Sequence, residues 1–306
     1  MEGTCGYPMV PGHEVVGTVV AVGPKCSAIK VGMVVGFGPQ RDSCRSCDFC
    51  ASGLDNCCTG FQGLYDSWRD KEAKLINFGG YATSITAPER FAFEIPAGIP
   101  PHVVGPLLCA GITTFAPLAR LTKPGMRVGI VGVGGLGHMG VQYAAAMKTE
   151  CWAISTSAAK EAEARGFGAQ HFLVSTDAAA MAAKKGYFDV ILCTASSNFE
   201  VKAYLSLLKP RGSFALVGRA PVDEPLKFRP FDIVDGEKNI VGSMIGGTVG
   251  MKEMLQFSAE HKCFPKVEVI PFAEANAGVA KVLANAARYR MVLEIKGFRA
   301  AQQAKA

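Results

Sequence analysis

Cys44, Cys47, Cys50 and Cys58 follow the spacing Cys-x2-Cys-x2-Cys-x7-Cys. Two-residue gaps let successive sulfurs converge on one ion, and four thiolates satisfy tetrahedral Zn²⁺ in a closed, structural site. A redox pair needs only two cysteines at a helix start. An iron–sulfur cluster is the other four-thiolate occupant, and the spacing favours zinc over both. Cys57 stands one residue off that spacing and reads as a bystander thiol. The other six cysteines (Cys5, Cys26, Cys109, Cys151, Cys193 and Cys263) are scattered. Eleven is an odd count, so a full disulfide framework cannot close. With no basic-then-apolar leader at the start, a reducing, cytoplasmic setting is expected.

A second cluster is made of glycine. The run Gly129 to Gly137 contains G-x-G-x-x-G at Gly132, Gly134 and Gly137, with Val133, Gly135 and Leu136 between them. Apolar residues lead in and a helical pattern leads out, the setting of a dinucleotide cradle. Gly132 permits the tight turn, Gly134 lets backbone approach a diphosphate, and Gly137 permits close helix packing. The helix start adds exposed N–H groups and a favourable dipole for the anion. A plain glycine turn in an ordinary strand–helix unit is the bland alternative.

The next strand end selects the cofactor. An NAD site carries Asp or Glu there for the ribose 2′-hydroxyl. Here the residues are Ser155, Thr156 and Ser157, with Lys160 following. Three hydroxyls and an ammonium suit a 2′-phosphate, so NADP(H) is expected. The competing reading is a Ser/Thr turn that caps the next helix.

His13 and Glu14 end a Pro-rich turn, and Cys109 sits far along the chain in Leu-Leu-Cys-Ala-Gly. Imidazole, carboxylate and thiolate are all zinc ligands. Taken singly, a His beside a turn and a Cys in an apolar run are more often structural.

The elements that must position these residues fall into two styles. Up to about residue 110 the chain is rich in Gly, Pro and β-branched residues. Val15–Val22, Met33–Phe37, Tyr81–Thr86 and Phe91–Ile95 read as short strands. From Arg127 strands and helices alternate through Ile240–Met244, the pattern of a parallel, doubly wound sheet. A helix near Met251–Glu260 and a strand Met291–Lys296 follow, the latter able to rejoin the first domain.

Apolar residues make up 49% and charged ones 19% of 306 residues, which excludes a disordered polyelectrolyte. The net charge of +6 suits a phosphate-bearing cofactor better than nucleic acid. The uncharged run Val128–Met147 reaches membrane-spanning length, but its glycines and polar residues fit a strand–turn–helix, so no membrane partner is expected.

These motifs occur in a recognisable order. Tyr7-Pro-Met-Val-Pro-Gly-His-Glu-Val-Val-Gly17, the four-cysteine lobe, Pro106-Leu-Leu-Cys-Ala-Gly-Ile-Thr113, Gly132–His138, Gly242–Gly246 and Arg288-Tyr-Arg290 together resemble the zinc-dependent medium-chain alcohol dehydrogenases. The NADP-dependent, cinnamyl-alcohol-dehydrogenase-like branch is the nearest in pattern. The resemblance implies an α/β chain in which a Rossmann domain (111–246) is inserted in a GroES-like, mostly β catalytic domain (1–110, with a zinc lobe at 41–60, and 247–306).

It further implies catalytic zinc at His13, Glu14 and Cys109, and structural zinc at Cys44, Cys47, Cys50 and Cys58. Thr113, Gly132–Gly137, Ser155–Ser157, Lys160, Thr194, Gly218, Ser243, Met244 and Ile245 would line NADP(H). The implied reaction interconverts primary alcohols and aldehydes, in a homodimer. The family's first zinc-binding Cys, with the Ser/Thr that relays the proton, belongs about twenty residues before the His, ahead of Met1 here. A shortened chain is therefore expected. It would be either an enzyme or an NADP-binding zinc protein without dehydrogenase activity. A zinc ribbon for nucleic acid would rest on Arg41, Arg45 and Arg69 alone.

Overall fold

The computed structural model describes residues 7–70, 72–196, 199–218 and 225–295. Cys5, the end of the expected strand at Lys296 and the rest of the C-terminal segment lie outside these residues. Residues up to Ile112, together with those from Gly246 onward, form one compact unit, and Thr113–Ile245 form the other.

The second unit is built on six parallel strands: β1 (Arg127–Val131), β2 (Glu150–Ser155), β3 (His171–Val174), β4 (Phe188–Cys193), β5 (Leu208–Leu216) and β6 (Asn239–Gly242). Their order is β3-β2-β1-β4-β5-β6. Every pairing is parallel, so each connection must cross over, and helices cover the faces. That is why β4 is buried at all six positions. Its Ile191 packs with Ile154 of β2, Phe214 of β5 and Leu205 of the helix Val201–Leu207 in one apolar cluster. Asp189 is the polar exception in that strand. It accepts from the Arg127 amide at 2.8 Å and pairs with Lys209, the partnering that a buried carboxylate requires. Strand order reverses between β1 and β4, the switch point at which such sheets open a crevice beyond their carboxyl ends.

The first unit has short strands and many turns. Val15–Thr18 pairs antiparallel with Val34–Phe37, which pairs with Ala92–Glu94. The expected strand at Val15 therefore stops four residues early. Tyr81–Thr86 is not a strand. The amides of Gly80 and Tyr81 bond back to the Gly12 and Pro11 carbonyls at 2.8 and 2.9 Å, so this backbone braces the turn before His13 instead of joining a ladder. Val267–Pro271, unmarked in the sequence, pairs in parallel with Arg290–Glu294.

Cys109 lies in a helix running from Pro101 to Leu121, interrupted by a π-helical turn at Leu107–Gly111. This is the one helix among the described residues long and apolar enough to cross a membrane, and 78% of its apolar 18-residue window is buried inside the protein. It serves as a core helix.

Candidate active site and metal centres

The turn at Gly12 delivers His13 and Glu14 to the start of the Val15 strand, and the π-helical turn presents Cys109 to them. Such turns widen a helix locally and often mark functional positions. His13 Nε2 lies 3.3 Å from Cys109 Sγ and 3.6 Å from Glu14 Oε1. The three donor atoms lie within 4.8 Å of one another, although Cys109 is 96 residues from His13. Nitrogen and sulfur bound to one tetrahedral zinc, at ~2.0 and ~2.3 Å, stand about 3.6 Å apart. The observed separation is close to that, and three protein donors is the count of an open, catalytic site.

The electrostatics of the cluster are those of buried groups. Burial pulls His13 below its ordinary value, against the opposing pull of Glu14. Burial, then the Glu14 charge, pushes the Cys109 thiol up to about 12. The imidazole is thus uncharged, with a lone pair to give, while the thiol keeps its proton until a cation displaces it. Arg290 donates to Glu14 Oε1. The Tyr65 ring stacks on His13 at 6.0 Å and 28°. A cavity of about 420 Å³ opens here, lined by His13, Glu14, Tyr65, Tyr81, Phe272 and Arg290 among others. Arg290, Tyr65 and Tyr81 were not identified as site residues from the sequence. The Arg288-Tyr289-Arg290 run was the only signal pointing to the first.

The four-cysteine lobe closes as its spacing implies. Cys44, Cys47, Cys50 and Cys58 bring their sulfurs within 4.8 Å of one another. Cys47 to Cys50 is 3.6 Å and Cys44 to Cys50 is 3.9 Å. Sulfurs at ~2.3 Å from one tetrahedral zinc stand about 3.8 Å apart, a value the two distances bracket. Disulfides require ~2.05 Å, and these four cysteines are free thiols. Backbone amides point at the sulfurs. Cys47 N donates to Cys44, and Cys44 N and Gly60 N donate to Cys58, at 3.2–3.4 Å. The Ser46 and Cys47 amides, with the Ser46 hydroxyl, pull the Cys44 thiol down to about 6. Cys57 is exposed and stands outside the cluster.

In the second unit the expected cofactor residues gather at the carboxyl ends of the parallel strands. Gly132 follows β1, Ser155–Ser157 end β2, Thr194 follows β4, Gly218 lies two residues past β5, and Ser243–Ile245 follow β6. Gly132 takes φ +87°, and a Cβ at Gly137 would overlap the Gly132 carbonyl oxygen, so neither position admits another residue without strain. Around Gly134 there is open space. Helix α1 (Gly137–Ala146) starts at this turn.

The Thr194 hydroxyl holds the cradle from beneath, donating toward the Val131 and Gly132 carbonyls at 2.9 and 3.2 Å. Ser157 Oγ accepts from Ala159 N at 3.3 Å, a helix cap, yet it keeps its own proton for donation. Lys160 pairs with Glu163 at 3.2 Å. Ile245 sits at φ +42°, unusual for a β-branched residue. Met244 is exposed, and Thr113 is buried on the helix Ile112–Leu121.

Comparison with known proteins places this geometry. Residues 1–97 match the alcohol dehydrogenase GroES-like domain, and residues 135–260 match the zinc-binding dehydrogenase family. A probable formaldehyde dehydrogenase of Bacillus subtilis is 42% identical over 291 residues, covering 94% of this chain and 82% of that protein. An NADP-dependent alcohol dehydrogenase of Mycolicibacterium smegmatis is 39% identical, covering 97% and 85%. Among solved structures, a cinnamyl alcohol dehydrogenase of Sorghum bicolor superposes with a TM-score of 0.92 at 36% identity, covering 96% of this chain and 84% of that one. A cinnamyl alcohol dehydrogenase of Helicobacter pylori complexed with NADP(H) gives 0.87 at 33%, covering 95% and 83%.

Proposed function

We infer the reaction from one premise: this chain belongs to the zinc-dependent medium-chain alcohol dehydrogenases, in their cinnamyl-alcohol-dehydrogenase-like branch. It is an oxidoreductase acting between alcohols and aldehydes. We propose that its substrates are primary alcohols and the matching aldehydes, aromatic or aliphatic, and that NADP(H) carries the hydride. The observation that carries this reading is the convergence of His13, Glu14 and Cys109 within 4.8 Å beside a cavity.

When bound there, zinc supplies Lewis acidity to a carbonyl oxygen, and the nicotinamide supplies the hydride. The chain's own residues do the rest. His13 offers a neutral imidazole nitrogen, kept so by burial. Cys109 holds its proton at Sγ until it ligates, so loading the site releases a proton. Arg290 fixes the Glu14 carboxylate and balances its charge. The first turn of α1 presents amides to the diphosphate, and Ser155–Ser157 with Lys160 are placed for the 2′-phosphate. Cys44, Cys47, Cys50 and Cys58 would hold the structural zinc.

Metal analysis and turnover test this together. Two zincs per chain and oxidation of NADPH by an aromatic or aliphatic aldehyde are expected. One zinc and no turnover would leave the second reading, an NADP-binding zinc protein without dehydrogenase chemistry. The reading includes a homodimer, as the family resemblance implies, which light scattering checks. It also includes a reducing, cytoplasmic setting, supported by ten free cysteines among the described residues.

A further inference from the structure

Asp55 lies inside the seven-residue gap between Cys50 and Cys58, and its side chain is fully buried. A buried carboxylate needs partners for both oxygens, and here they come from three separate parts of the chain. Oδ1 accepts from Arg90 Nε at 2.9 Å and from the Ser43 hydroxyl at 3.4 Å. Oδ2 accepts from the Thr248 hydroxyl at 2.6 Å and from the Thr248 amide at 3.3 Å. Thr248 is the first residue of helix α2 (Thr248–His261), 193 positions away. The carboxylate thus caps the helix that opens the chain's return to the first unit, just past Ile245–Gly246.

The same partners reach the cysteines. The Cys50 thiol lies 3.2 Å from the Ser43 hydroxyl, and Arg90 Nη2 donates to the Cys50 carbonyl at 2.6 Å. The backbone of the loop continues the link, since Val249 N donates to the Gly53 carbonyl at 3.5 Å.

What holds the loop itself is decisive. Between residues 43 and 60 the buried residues are Ser43, Cys50, Gly53, Asp55 and Cys58, while Phe49 and Leu54 are exposed. No apolar cluster in this stretch sets its shape, so the polar bonds just described and the sulfurs, with whatever draws them together, do so. Asp55 then passes that constraint to the start of α2.

We propose that Asp55 is a positioning residue that couples metal occupancy of the four-cysteine lobe to the ordering of the N-terminal half of helix α2. This rests on the reading of that lobe as a zinc site. Zinc in the lobe fixes Cys50 and Cys58. Those fix the Asp55 loop, and Asp55 with Thr248 fixes the helix start. The helix Ala178–Ala182 is capped by its own neighbour Asp177, whereas this one depends on a distant metal loop.

The test uses the zinc-loaded 306-residue chain with two readouts, hydrogen exchange of the 248–255 amides and zinc release to a colorimetric chelator. Stripping the lobe zinc is expected to speed exchange at 248–255 at least tenfold while β1–β6 remain protected. Asp55→Asn is expected to show the fast exchange with zinc still bound, and to release one zinc at least tenfold faster. Because that variant removes a buried charge and can misfold, Thr248→Val and Thr248→Ser accompany it. The first should shift both readouts in the same direction, and the second should restore them. If Cys47→Ser leaves the zinc count unchanged, the zinc reading of the lobe fails and the proposal falls with it. If the count drops by one while 248–255 exchange as before, the lobe is a zinc site and the coupling alone is overturned.

Discussion

The guanidinium of Arg290 donates to the carboxylate of Glu14, joining residues 276 positions apart across the base of the donor cluster. Both side chains are largely withdrawn from solvent, at 23% and 16% exposure. Removing one member leaves the other charge under-solvated, at a cost of about 3 kcal/mol. Arg290→Met is therefore expected to lose about that much stability in chemical denaturation. Glu14→Gln combined with Arg290→Met should lose clearly less than the two single changes summed. Additive losses would show that the pair is not coupled.

Cofactor choice can be tested at Ser155. Ser155→Asp places a carboxylate where a 2′-phosphate is proposed to sit. The KM for NADPH should rise about tenfold or more, an effect of ~1.4 kcal/mol, while NADH is unaffected or improved. Initial-rate kinetics with both coenzymes decide it, and an equal effect on the two would place the 2′-phosphate elsewhere.

Gly137→Ala tests the cradle itself. The added methyl meets the Gly132 carbonyl oxygen, so the turn must open. Calorimetric binding of NADPH should vanish or weaken at least a hundredfold in a chain whose circular dichroism shows that it is folded. Gly134→Ala, which has open space around it, should keep the fold at wild-type stability and lose only cofactor affinity.

Glu89 gives a pH dependence. Its carboxylate accepts from the amides of Ser27, Ala28 and Ile29 and from the Cys26 thiol. These donors, the Ile29 amide first, pull it down to about 2 from an ordinary 4.5. With the folded value below the unfolded one, its stabilisation is complete above pH 4.5 and fades as the pH falls toward 2. Glu89→Gln should lower the melting temperature at pH 7 and flatten the acid limb between pH 4.5 and 2. Parallel acid limbs in the two proteins would contradict this.

Cys151 supplies the opposite sign. Burial in β2 raises its thiol to about 12. The folded state thus holds a proton that the unfolded state gives up, and stability declines as the pH rises above about 9. Cys151→Ala should reduce that alkaline decline in thermal melts. At pH 8 iodoacetamide should label exposed Cys57 while sparing Cys151, as mass spectrometry of the native protein would show.

The sheet was legible because strand and helix patterns alternate along the chain. The alternation from Arg127 onward is readable, since a run such as Val128–Val131 is uncharged and a glycine turn ends it. The cysteine lobe was legible for a similar reason, as four donors within fifteen positions leave little conformational choice. The His13 centre was not readable from spacing, because Cys109 is brought to it by tertiary packing across 96 residues. Arg290 and Asp55 were hidden for the same reason, each being one charge among many until its distant partner is seen. Tyr81–Thr86 misled because its β-rich composition matched a strand, while the Tyr81 amide and those of Gly79 and Gly80 before it are committed to the turn at Val10–Gly12.

The π-helical turn at Leu107–Gly111 has a consequence for how this segment tolerates change in length. Each residue of a regular helix advances about 100° around its axis. Deleting one residue from that turn would leave four residues at about 100° each, nearly the rotation that the five wider-wound residues now make. A single-codon loss here would thus keep the helix and the phase of its flanks, while removing the local widening that presents Cys109 to His13.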